Sequence, residues 1–198
     1  MKSSWLLVVV LAAGTGAQAQ ECRPYVQQLT VYTLEGKTLV PNEVMARARY
    51  MATKVLAGAG VTVEWVKGER PRDPYRTYCG DRLTIVFDAK AGAGFAAQAM
   101  AYTSLNAGWA TEIHIFYDRI SAFPDRPRMA EFLGHVLAHE IAHVLQGVAR
   151  HSSEGVMKAH WNDRDCGELV RKPLPFSAED VELIRSHFGT PAALAAKN

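Results

Sequence analysis

His139 and His143 stand four residues apart, and Glu140 follows the first of them. On a helix that spacing puts both imidazoles on one face, within reach of a single ion. Zinc accepts neutral imidazole nitrogens at about 2.0–2.1 Å, and a hydrolytic site supplies three protein ligands while leaving a fourth position open for water. A carboxylate at the position of Glu140 can take a proton from that water and hand it to a leaving nitrogen, the chemistry of peptide-bond hydrolysis. Gly147 followed by His151 offers a turn that returns a third imidazole to the ion. His160, beside Trp161, is the rival third ligand, with Asp163 and Asp165 nearby.

The other histidines have plainer readings. His135 shares a face with His139, but it lies about 12 Å along the helix axis from His143, too far for all three to bind one ion. It reads as a packed histidine. His114 sits alone in a strand-like run with no spacing partner. Of the three cysteines, Cys22, Cys79 and Cys166, none has the close spacing of a structural zinc site. One disulfide is expected, with Cys22–Cys79 the preferred pair and one thiol left over.

The helix that must carry the site spans Met129 to Gln146, with Phe132, Leu133, Val136, Leu137, Ile141, Val144 and Leu145 as its apolar body and Gly147 as its terminator. Upstream, Gln28–Leu34, Val61–Val66, Leu83–Phe87 and Glu112–Tyr117 read as strands, with a short edge strand near Tyr102. A long amphipathic helix opens at Pro41-Asn42-Glu43 and ends at Gly58 and Gly60, and residues 68–81 read as an exposed loop. Pro124 and Pro127 stop the fourth strand. A last helix begins near Phe176–Asp180, where Ser177 and Asp180 have the spacing of a reciprocal cap. Strands and helices mixed in this order, without internal repeat, predict an α/β or α+β domain, best described as α+β with an α/β-type mixed sheet and long helices.

The first 19 residues read as an export signal: Lys2, an apolar stretch from Trp5 to Ala13, then Ala17-Gln18-Ala19 at the spacing of a cleavage site. The stretch is too short to span a bilayer. Residues 20–198 are then expected to form a single catalytic domain, secreted or periplasmic, with no membrane anchor once the signal is removed. With 22 Lys+Arg against 20 Asp+Glu, interspersed, nothing recommends a nucleic-acid partner.

The run His139-Glu140-Ile-Ala-His143-Val-Leu-Gln-Gly147-Val-Ala-Arg-His151 resembles the metzincin zinc peptidases, whose pattern is H-E-x-x-H-x-x-G-x-x-H followed by a methionine turn. Here one extra residue precedes the glycine and one more follows it. His151-Ser152 and Gly155-Val156-Met157 look like the matrixin His-Ser pair and methionine turn, and Phe176–Ile184 is similar to the matrixin C-terminal helix. The resemblance implies a zincin-like fold: a twisted sheet and active-site helix (residues 20–147) over a small C-terminal subdomain (148–198). It also implies zinc held by His139, His143 and His151, Glu140 as general base, Met157 as a hydrophobic floor, and a polypeptide substrate paired along the strand near Tyr102. Two alternatives stay open. One is a gluzincin arrangement with Glu168 or Glu179 as third ligand; the other is a non-catalytic exported zinc-binding module, which would have no need of Glu140.

Overall fold

A computed structural model describes residues 28–34, 39–69, 81–96, 99–106, 110–123 and 125–187. The export signal, Cys22, Cys79 and most of the expected 68–81 loop lie outside the described residues.

Strand β1 (Gln28–Leu34), helix α1 (Asn42–Ala57) and strand β2 (Thr62–Lys67) form a parallel crossover unit, and β3 (Asp81–Asp88) joins the other side of β1, also parallel. Two further strands, β4 (Ala101–Asn106) and β5 (Ala110–Phe116), complete a five-stranded sheet in the order β2-β1-β3-β5-β4. Among the described strands only β4 runs antiparallel, paired to β5 from Ala101↔Ile115 to Asn106↔Ala110. It stands last in the order and so forms an edge. The sheet is mixed, as the α+β reading expects.

Helix α2 (Tyr117–Ser121) follows β5 directly, so Tyr117 opens a helix instead of ending the strand. Helix α3 (Met129–Gln146) has the bounds that its apolar period predicts. Gly147 closes it with φ of +67°, the left-handed conformation that glycine adopts without strain. After a loop come α4 (Asp163–Leu169) and α5 (Ala178–His187). The sequence reading passed over α4, which is short and lacks an apolar stripe; Asn162 and Asp165 cap it reciprocally. No helix among the described residues is long and apolar enough to cross a membrane.

Helices α1 and α3 pack side by side against the sheet. Their close approach depends on small residues: a Cβ on Gly134 would stand 2.6 Å from Met51 Cβ and 2.8 Å from the Ala48 carbonyl oxygen. Ile85, Ile113 and Ile115 of the sheet meet Leu133, Leu137 and Ile141 of α3 in one fully buried core. Burying each such side chain contributes about 1.5–3 kcal/mol. The carrier helix is thus fixed by packing along its whole length.

Candidate metal centre

His139, Glu140 and His143 project from the last two turns of α3, where the core side of the helix gives way to a cleft of about 590 Å³. His139 donates its Nδ1–H to the carbonyl of Val156 at 2.8 Å, and His143 donates more weakly to Val148 at 3.4 Å. Each bond selects the tautomer that leaves the Nε2 lone pair free. The two Nε2 atoms stand 3.1 Å apart. Nitrogens bound to one tetrahedral ion at 2.0–2.1 Å would lie about 3.4 Å from each other, so the spacing is close to that of a shared site.

The chain past Gly147 brings His151 back to the same point. Its ring centroid is 5.3 Å from that of His139 and 5.0 Å from that of His143, and one ligand nitrogen from each of the three lies within 4.8 Å of the others. A helix end and turn each one residue longer than the metzincin pattern still deliver the third imidazole. The three histidines form a group able to hold a metal ion, and the donor set, three imidazoles with tautomers fixed on two of them, fits zinc.

Electrostatics favour this. Burial lowers the pKa of His139 to about 4, and it also lowers that of His143, with the neighbouring His151 adding to the fall. Both rings therefore stay neutral, as ligands must be. Burial pushes Glu140 the other way, up to about 7, because its carboxylate loses water.

The rival ligands are placed elsewhere or engaged otherwise. His160 is exposed and lines the same cleft but lies outside the three-histidine group. Asp165 pairs with Lys158 and caps α4; Glu168 pairs with Lys172; Glu179 pairs with Arg150. Asp163 begins α4. Met157 is fully buried, and the turn it belongs to supplies the Val156 carbonyl that orients His139. His135 is a structural histidine: it donates Nδ1–H to Glu131 O at 2.8 Å and accepts the Leu174 backbone N–H at Nε2, 3.0 Å away.

Near β4 the cleft is lined by Met100 and Ala101. The Tyr102 ring stacks between Phe95 and His114, on the sheet face opposite Ile113 and Ile115, since successive side chains alternate. Phe132, Val136 and Trp161 form the apolar side of the cleft. Trp161 also packs edge-on against His139, with ring centroids 6.0 Å apart, and its buried indole N–H has no partner among the described residues. Sequence reasoning did not single out Phe132, Val136 or Trp161 as cleft residues, because only the fold sets the Trp161 loop against α3.

No family model and no curated protein sequence matches this chain. Among solved structures it is similar to the archaemetzincin of Methanopyrus kandleri, at 15% sequence identity and a TM-score of 0.48, over 81% of this chain and 94% of that one.

Proposed function

We propose that this chain is a zinc-dependent endopeptidase that acts outside the cytoplasm on polypeptide. The observation that carries this reading is the convergence of His139, His143 and His151 on one point beside Glu140, at the wall of an open cleft. The metzincin-like run of residues and the export-signal pattern at residues 1–19 support the activity and the location respectively.

His139, His143 and His151 would hold the ion, through the nitrogens that the Val156 and Val148 carbonyls leave unprotonated on the first two. Bound zinc supplies a Lewis acid that polarises a carbonyl and acidifies water. Glu140 takes the proton of the attacking water and returns it to the leaving nitrogen, so one carboxylate serves as base and then as acid. Its raised pKa near neutrality suits both transfers. Extended peptide pairs with the outer edge of β4, which has no strand beside it among the described residues, and places a side chain against Phe132, Val136 and Trp161. Met157 fills the core beneath the site.

Zinc content and casein or gelatin cleavage, measured on wild type, Glu140→Gln and His151→Ala, test the reading. Wild type is expected to carry one zinc and cleave, Glu140→Gln to keep zinc and lose cleavage, and His151→Ala to lose both. A zinc-loaded wild type whose cleavage survives Glu140→Gln sinks the mechanism, and a zinc-loaded wild type that cleaves no polypeptide favours the binding-module alternative.

A further inference from the structure

One carboxylate far along the chain gathers the whole segment around the third histidine. Asp180, on the first turn of α5, is fully buried. It accepts hydrogen bonds from five donors: Gln146 Nε2 at 3.2 Å, Arg150 Nη1 at 2.8 Å, Ser152 Oγ at 2.7 Å, Ser177 Oγ at 2.7 Å and the Ser177 backbone N–H at 3.0 Å. The two from Ser177 belong to the helix cap. The other three do not. Gln146 ends the helix that carries His143, while Arg150 and Ser152 are the residues on either side of His151.

That bracketing has a geometric consequence. Where the chain is extended, neighbouring side chains point to opposite sides. Arg150 and Ser152 both turn to Asp180, so His151 between them turns the other way, toward His139 and His143. The His151 ring itself has no hydrogen-bond partner among the described residues, and it is exposed. Its place depends on its neighbours. Ser152 is held further by its backbone N–H to the Met157 carbonyl at 2.8 Å, which links the clamp to the turn that orients His139.

We propose that Asp180 is a positioning residue for the metal centre: by anchoring Gln146, Arg150 and Ser152 it presents His151 as the third ligand before an ion arrives. This rests on the reading that the three histidines hold a metal. Ordering a mobile ligand on binding costs affinity, and partners that orient a ligand are typically worth about 10- to 100-fold in metal affinity. Asn in place of Asp180 keeps the size but turns an NH2 donor toward groups that are themselves donors.

Metal-free wild type, Asp180→Asn, His151→Ala and the double variant are titrated with Co2+, read by its visible spectrum, and with Zn2+ against a chelator; circular dichroism reports folding. Wild type is expected to take one ion. Asp180→Asn is expected to stay folded, to bind about tenfold or more weakly, and to give a cobalt spectrum moved toward that of His151→Ala. In the His151→Ala background the same change should add nothing. A folded Asp180→Asn with unchanged affinity and spectrum overturns the inference and leaves the metal reading intact, whereas a wild type that binds no ion overturns both. Should Asp180→Asn not fold, Ser152→Ala and Arg150→Ala decide: a smaller loss of the same sign supports the clamp, and unchanged binding in both refutes it.

Discussion

Two histidines one turn apart on α3 show how one residue type becomes structure in one place and chemistry in the next. His135 and His139 each donate Nδ1–H to a backbone carbonyl at 2.8 Å. The difference is what meets the second nitrogen. At His135 it is the Leu174 N–H, which uses the lone pair and staples the C-terminal segment to the helix. At His139 it is the cleft, with His143 and His151 converging on the same point. Burial keeps both rings neutral, but only the second leaves an acceptor unspent.

The largest effect expected along this contrast is at the chemical end. Glu140→Gln should lower peptide hydrolysis about 10²- to 10⁴-fold, the worth of a general base, while zinc content is retained. Next, His139→Ala should weaken zinc binding by more than about 100-fold, since even an outer partner of a ligand is worth that much. His135→Ala should bind zinc with wild-type stoichiometry but melt earlier. It leaves a cavity and the buried Leu174 N–H unpaired, each of which costs about 1–3 kcal/mol. If His135→Ala lost metal with its fold intact, the division between the two histidines would be wrong.

Gly134→Ala sharpens the structural half. The added Cβ meets α1 backbone at 2.8 Å, so overpacking should cost about 1–3 kcal/mol in a thermal melt with no change in metal affinity.

The smallest effect is a pH signature. Glu140 has its folded pKa raised from 4.5 to about 7, so the metal-free folded state binds the extra proton between those values and loses stability as pH rises through them. His139 is depressed from 6.5 to about 4, so its neutral form contributes stability above 6.5 that is lost as pH falls. The two trends oppose each other. In metal-free protein, Glu140→Gln should remove the first alone, leaving the variant more stable than wild type at pH 8 by an amount on the order of 1–3 kcal/mol and nearly equal at pH 4. Denaturant melts at the two pH values check this.

What could be read from the sequence follows the range of the interactions. The bounds of α3, its αL glycine and the four-residue spacing of His139 and His143 are local, set by period and cap, and they stand as read. So do β1, with the bounds Gln28–Leu34, and the Ser177–Asp180 cap. The return of His151 depends on a turn that spacing permits but does not compel. Nothing local announces that Asp180 would also receive Arg150 and Ser152, thirty and twenty-eight residues away, or that Leu174 would meet His135. Helix α4 carried a readable cap in Asn162 and Asp165, but without an apolar stripe its seven residues look like loop. The Tyr102 stretch was expected at the cleft; its main chain forms the edge strand, while its ring belongs to the opposite face through stacking on His114.

The central claim is tested most directly by a crystal structure of the zinc-loaded protein with anomalous data at the zinc edge. A single peak about 2.0–2.1 Å from ring nitrogens of His139, His143 and His151, with Glu140 close by but not bound, is the predicted result. A peak held by His160 or a carboxylate in place of His151, or none at these residues, would contradict it.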